Sequence, residues 1–214
     1  MVLCDLPYGM TACKWDEIIP FDELWKQYSR VVKSSGAVVL FSAQPFTTKL
    51  ISSNLKKFRY CWYWLKPHST GFCFAKYQPM RRVEDICVFF NKGVTYYPQG
   101  LKTVKNASPK RKPKTENGIY KPLDKTYTPK YTNYPTNVLQ FDGVYKNRLH
   151  PTQKPVELLE YLIKTYTQPG ETVLDNCMGS GSTGVAAINT GRKFIGIEKD
   201  EKYYNIAKER IGVK

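Results

Sequence analysis

Two stretches of the chain combine residue types that can do chemistry. Asp5-Leu6-Pro7-Tyr8 closes a short apolar run, and far downstream Asp175-Asn176-Cys177-Met178-Gly179-Ser180-Gly181-Ser182-Thr183-Gly184 closes another. An apolar run that ends in a loop reads as a buried strand, and open α/β sheets place their ligands at the carboxyl ends of strands. The first stretch offers a carboxylate beside an aromatic ring, the second a backbone cradle for a cofactor. Together they pair a hydrogen-bond acceptor with a ligand cradle.

The elements that must position these residues follow from periodicity. Residues 1–4 read as the end of a strand. Between residues 21 and 33, Phe21, Leu24, Trp25, Tyr28, Val31 and Val32 recur at helical spacing, and Gly36 stands where a helix would stop. Residues 37–41 read as a buried strand, and Pro45 opens a helix through residue 56. Residues 59–65 and 85–90, rich in aromatic and β-branched types, read as strands separated by a loop over 68–80. After Pro155 the pattern predicts a helix to residue 166, a strand over 172–175, the glycine stretch, a helix to about residue 190 and a strand over 193–197. That last set is a βαβ unit, so the fold class is α/β, with a Rossmann-like sheet and helices on both faces.

At 214 residues the chain suffices for one sizeable core. Lys+Arg 33 against Asp+Glu 18 leaves a net charge of +15 beside 14% aromatic residues, a mix suited to phosphate backbones and stacked bases. No apolar run approaches the ~20 residues needed to span a bilayer, and no signal peptide opens the sequence, so a soluble, cytoplasmic protein is expected. Cys4, Cys13, Cys61, Cys73, Cys87 and Cys177 form no close C-x-x-C pairs, and His68 and His150 are the only histidines. No metal site is expected from them, and most of the thiols are expected reduced and buried.

Residues 92–134 change character. Lys92, Lys102, Lys105, Lys110, Arg111, Lys112, Lys114, Lys121, Lys125 and Lys130 face only Glu116 and Asp124, interleaved with tyrosines and prolines and without apolar periodicity. Such a segment reads as an inserted, extended lobe that meets a DNA backbone, with Lys105, Lys110, Arg111, Lys112 and Lys114 as its contacts. A solvated loop is the plainer reading, but solubility does not need so dense a cluster.

Gly179, Gly181 and Gly184 satisfy the G-x-G-x-x-G dinucleotide fingerprint, and Glu198 falls about 20 residues beyond the first glycine, where an acid accepts ribose hydroxyls. Asp175 separates the candidate ligands, because an acid at the loop's mouth repels a pyrophosphate lying against the helix terminus. A sulfonium cofactor carries no phosphate. Alone, D-x-P-Y is ordinarily a turn and Glu198 a surface acid; the pairing of the two stretches gives them weight.

These residues resemble the amino-group DNA methyltransferases that use S-adenosylmethionine, in the permuted order in which the catalytic tetrad precedes the glycine loop. The likeness covers most of the chain. His150-Pro-Thr-Gln-Lys154-Pro looks like the family's segment ahead of the cofactor loop, Gly196-Ile-Glu198-Lys-Asp200 like its ribose-binding strand end, and Pro79-Met-Arg-Arg82-Val-Glu84-Asp-Ile like the segment leading into a late strand. The resemblance implies a catalytic half over residues 1–92, a target-recognition insertion over 93–149 and an S-adenosylmethionine-binding half over 150–214. It implies that Asp5 and the Leu6 carbonyl accept the two amino hydrogens of an extruded base, with Leu6 standing where most members have proline. Pro7 still restricts Leu6 to extended geometry, and Tyr8 stacks on the base. By the same resemblance Asp175, Asn176, Cys177, Met178, Gly179, Gly181, Ser182 and Thr183 line the cofactor, Glu198 holds its ribose, and Lys154 or its neighbouring backbone holds its carboxylate.

An acidic first residue looks like the adenine-N6 members, so adenine in double-stranded DNA is the expected target; cytosine-N4 is the nearest alternative. A nicotinamide-dependent oxidoreductase leaves the tetrad and the basic segment unexplained. Related chains carry about one more strand and helix ahead of the tetrad, so an N-terminal strand is expected to be missing, and a catalytically silent DNA-binding homologue is a third reading. The resemblance implies a bacterial or phage origin and restriction-modification; a homodimer and a cognate restriction endonuclease are further partners it allows.

Overall fold

The computed structural model describes the chain except residues 12, 14–15, 92, 94–95, 106–107, 109–127, 147 and 213–214. Its elements are β1 (Val2–Asp5), α1 (Phe21–Val31), β2 (Val38–Ser42), α2 (Phe46–Ser53), β3 (Phe58–Thr70), β4 (Arg81–Phe89), β5 (Lys102–Thr103), β6 (Tyr131–Thr132), β7 (Val138–Gln140), α3 (Val156–Tyr166), β8 (Thr172–Asp175), α4 (Ser182–Asn189), β9 (Lys193–Gly196) and α5 (Glu201–Ile211). Seven strands form one sheet in the order β7-β3-β4-β2-β1-β8-β9. β1 runs parallel to β2 and β8, and β8 parallel to β9, so their carboxyl ends share one edge. β4 is antiparallel to β2 and β3, which brings its amino end to that same edge.

Strands covered on both faces need apolar residues at every position rather than at every second one. The central strands obey this. Leu3, Val39, Phe41, Ile86 and Val88 face a layer built from Leu158, Leu159, Leu162 and Ile163 of α3 with Ala186 and Ala187 of α4. Their neighbours Val2, Cys4, Val38, Leu40, Cys87 and Phe89 face Leu24, Trp25 and Tyr28 of α1 with Phe46 and Leu50 of α2. No helix is long and apolar enough to cross a membrane among the described residues.

Three local expectations need correction. β3 continues through Thr70, so the connection over residues 68–80 is shorter, because Thr70 pairs with Arg81 beyond the point where apolar patterning stops. α2 ends at Ser53 rather than near residue 56, where Asn54 turns out of helical geometry. α5 had no expected counterpart; Asp200 caps it, accepting a hydrogen bond from the Tyr203 amide at 3.1 Å.

The contacts divide the chain into Met1–Tyr97 with Asn137–Lys214 as one unit and Pro98–Thr136 as another. β7, from the segment 93–149 between the two halves, pairs with β3 in the main sheet. Within the smaller unit β5 pairs with β6, and the Asn133 amide donates to the Gly100 carbonyl at 2.6 Å.

Gly181 sits at the mouth of α4 with φ +77°, and a Cβ there would lie 2.8 Å from the Ala207 Cβ and 3.0 Å from its Cα. Left-handed strain and a backbone clash add, so Gly181→Ala is expected to cost about 2 kcal/mol or more, measured by urea unfolding.

Candidate active site

Asp5 ends β1, in the middle of the sheet, where Lys154 and Tyr8 meet it and Glu84 and Lys66 lie behind them. The Lys154 ammonium, carried on the segment entering α3, donates to Asp5 Oδ2 at 2.6 Å and to Glu84 Oε1 at 2.9 Å. Lys66 of β3 pairs with the other oxygen of Glu84. The Tyr8 hydroxyl donates to Asp5 Oδ1 at 2.7 Å and lies 3.3 Å from Glu84 Oε1, while its ring stacks on Phe46 with centroids 5.0 Å apart. Leu6 packs its side chain into the α1/α2 core. Side-chain exposure is 21% for Asp5 but 10% for Lys154 and 7% for Glu84, so Asp5 is the acid that an incoming molecule can reach.

Burial raises the Asp5 pKa and Glu84 adds to the rise, while the Lys154 ammonium opposes both. Burial would raise Glu84 as well, but Lys154 and Lys66 together outweigh it and hold that carboxyl low. Lys154 is pushed up despite its burial, because two carboxylates face it. The result is a charge-balanced set in which Asp5 is the softest member. Tyr8 stays a phenol, raised by burial and by both acids.

The glycine loop follows β8 on the neighbouring strand end. Asp175 is buried, its carboxylate accepts from the Cys177 amide at 3.1 Å, and burial pushes its pKa up to about 6. Asn176 Oδ1 accepts from the Tyr28 hydroxyl at 2.6 Å, and the Met178 amide bonds the Ile197 carbonyl at 3.1 Å. Gly179 donates its amide to Glu198 Oε2 at 2.8 Å, and Glu198 Oε1 accepts from the Asp200 amide at 2.9 Å. Arg210 of α5 grips the loop from outside, reaching the Ser180 carbonyl at 2.5 Å, Ser180 Oγ at 3.0 Å and Ser182 Oγ at 3.2 Å. Thr183 lies in the first turn of α4, with its hydroxyl side chain bonded to Asp175.

The site residues expected from sequence thus fall into two adjoining groups, Asp5 to Tyr8 and Asp175 to Thr183 with Glu198. Lys154 lies with the first group. Its ammonium is committed to Asp5 and Glu84 rather than to the glycine loop, because two buried carboxylates outcompete a solvent-facing role. His150 packs edge-on against Tyr203, with centroids 4.3 Å apart. Glu84 was missed as a site residue, though its signal was legible: it shares a strand face with Ile86 and Val88, and an acid on an apolar face needs a buried partner. Lys66 and Arg210 carried no such signal. Of the expected DNA contacts, Lys105 is exposed in the smaller unit, and Lys110, Arg111, Lys112 and Lys114 lie outside the described residues.

The DNA methylase family model, for N6 and N4 enzymes, matches residues 1–209. The chain belongs to the N6/N4 DNA methylase family. It is 51% identical over 65 residues to the putative methylase YubD of Escherichia coli (strain K12), covering 30% of this chain and 29% of that protein. It is 32% identical over 175 residues to the type II methyltransferase M.HpaI of Haemophilus parainfluenzae, covering 71% of this chain and 56% of that one. The chain therefore spans little more than half the length of M.HpaI and less than a third of YubD. The solved complex of M1.HpyAVI with SAM superposes with a TM-score of 0.65 at 24% identity, over 98% of this chain and 87% of that one. PvuII DNA methyltransferase, described as cytosine-N4-specific, superposes with a TM-score of 0.64 at 16% identity, over 98% and 78%. At these identities the likeness is one of fold, and it is the mixed α/β fold with a central sheet seen here.

Asp175 yields a stability prediction with a definite sign. Its raised pKa means that ionisation disfavours the folded state, a cost absent below the ordinary value of 3.8 and complete above about pH 6. A displacement of that size corresponds to about 3 kcal/mol. Asp175→Asn is expected to gain up to about 3 kcal/mol of stability at neutral pH and nothing at about pH 4, measured by denaturant unfolding at both.

Proposed function

We propose that this chain transfers a methyl group from S-adenosylmethionine to the exocyclic N6 amino group of adenine in double-stranded DNA. The observation that carries the reading is the juxtaposition of Asp5 and the glycine loop on β1 and β8, adjacent parallel strands whose carboxyl ends share one edge. A reachable carboxylate and a backbone cradle lie side by side, as transfer from a bound cofactor to an amino nitrogen requires.

The loop suits this cofactor by charge. Asp175 is mostly ionised at neutral pH, which disfavours a pyrophosphate and favours the sulfonium and ammonium of S-adenosylmethionine. Glu198, held by two backbone amides, presents its remaining lone pairs for ribose hydroxyls. S-adenosylmethionine supplies the methyl group as an electrophile. The chain's own residues prepare the nitrogen: an amino lone pair delocalised into a base ring is a poor nucleophile until its hydrogens are drawn to acceptors. Asp5 and the Leu6 carbonyl are those acceptors, and Asp5, its pKa raised by burial, takes the proton that nitrogen sheds. Tyr8, backed by Phe46, forms a wall for the extruded base, and extrusion costs a few kcal/mol that pocket contacts offset.

Asp5 in first place favours adenine, by resemblance. Cytosine-N4 is the second reading, favoured by the fold shared with PvuII methyltransferase. Lys105 and the cations over 110–114 are assigned to the DNA backbone, and the unit Pro98–Thr136 to target recognition. Kinship with type II methyltransferases such as M.HpaI favours a restriction-modification role.

The direct test is to incubate unmethylated plasmid with labelled S-adenosylmethionine, digest to nucleosides and identify the product by mass spectrometry, with Asp5→Ala as control. N6-methyladenine is expected from the native chain only; N4-methylcytosine would replace the substrate and keep the chemistry. The pH profile of that reaction gives a second test. Lys154 favours ionised Asp5 and Glu84 opposes it. Lys154→Met is therefore expected to move the acid limb to higher pH and Glu84→Gln to lower pH. Movement of both limbs in one direction would refute the assignment of Asp5 as the titrating acceptor.

A further inference from the structure

The β3–β4 hairpin runs past the rest of the sheet. Glu84, opposite Trp64, lies in the catalytic cluster, and the strands continue to the Thr70–Arg81 pair. Three residues of strand carry the hairpin about 10 Å beyond Glu84, outward from the edge that holds Asp5. Its tip, residues 71–80, is an ordered turn: Gly71 adopts φ +90°, a short 3-10 turn covers Phe72–Phe74, and the Tyr77 and Gln78 amides both bond the Phe74 carbonyl at 2.9 and 3.0 Å. The Thr70 hydroxyl closes its base on the Arg81 carbonyl at 3.3 Å.

This ordered tip exposes rings that the fold does not use. Phe72 is 80% exposed, Phe74 57% and Tyr77 87%, and among the described residues none of the three stacks on another ring. Scattered apolar residues on a surface are ordinary, but three aromatics on ten residues of rigid turn mark a contact. The charge around them selects the partner. No carboxylate occurs between residues 59 and 83, while Lys76, Arg81 and Arg82 flank the rings, so the tip is cationic and aromatic together.

We propose that this tip is a DNA wedge, in which Phe72, Phe74 and Tyr77 enter the base stack of a duplex beside the base that Asp5 receives, with Lys76 and Arg81 on the flanking phosphates. The inference rests on the DNA reading above. Apolar wedges that part base steps occur in proteins that deform duplexes, and aromatic rings replace the stacking that an extruded base gives up. A turn fixed by its own backbone bonds delivers the rings without first ordering a loop.

The test compares binding of the full chain to a short mixed-sequence duplex that is intact or carries one central abasic position. The abasic duplex offers a gap that a wedge fills without unstacking, so the native chain is expected to prefer it. The Phe72→Ala/Phe74→Ala/Tyr77→Ala triple variant is expected to lose that preference and at least about 10-fold in affinity for the abasic duplex. Its S-adenosylmethionine affinity by calorimetry is expected to be unchanged. Lys76→Ala/Arg81→Ala should instead flatten the salt dependence on both duplexes. Unchanged binding of both duplexes by the triple variant would overturn the wedge. So would loss of self-association in sedimentation with DNA binding intact, which would make the tip a face for a second copy. A native chain that binds neither duplex sinks the DNA reading itself, a different failure.

Discussion

Lys154 between Asp5 and Glu84 is the interaction on which the rest of the site depends. Removing one partner from such a buried set costs about 3–5 kcal/mol, yet replacing the whole set by well-packed apolar residues is often neutral or stabilising. Stability is therefore a weak reason for keeping it. What apolar residues cannot do is set a counter-charge beside one partly exposed carboxylate. Lys154 supplies the charge, and Glu84, itself held by Lys66, fixes where that charge sits. In this arrangement, burial and Glu84 raise the Asp5 pKa while Lys154 opposes them.

The antiparallel course of β4 makes this possible. In a wholly parallel sheet only carboxyl ends reach the ligand edge, and the acids there come from successive loops. Reversing one strand places the amino end of β4, with Glu84, alongside the carboxyl ends of β1 and β2. The same reversal makes β3 and β4 a hairpin whose tip leaves the sheet at the ligand edge. One topological choice thus positions an internal counter-charge and an external aromatic turn.

Most of the main unit could be read in the sequence. β8 and α3 fall where periodicity predicts them, and the two central strands are legible because burial on both faces forbids polar interruptions. Elements whose stability comes from elsewhere were not legible. β7 is three residues long and exists because β3 offers it an edge, and α5 is polar over most of its surface, held by Asp200 and by Ala207 against Gly181. At the site, Asp5 and the glycine loop announced themselves by spacing. The partner of Lys154 did not, since its separation of 149 positions from Asp5 is bridged by topology that no local pattern encodes.

The sheet order also constrains the timing of assembly. β1 pairs with β2, formed from residues close behind it, but its other edge waits for β8, some 170 residues later. During synthesis β1 thus lacks one of its two neighbours until β8 is made, with Val2, Leu3 and Cys4 beside that open edge in the meantime. Lys154 precedes β8 and the glycine loop follows it, so the charged set around Asp5 is complete in sequence before the loop is made. A nascent chain that stalls between β2 and β8 keeps that edge open, and such a chain is a burden for chaperones.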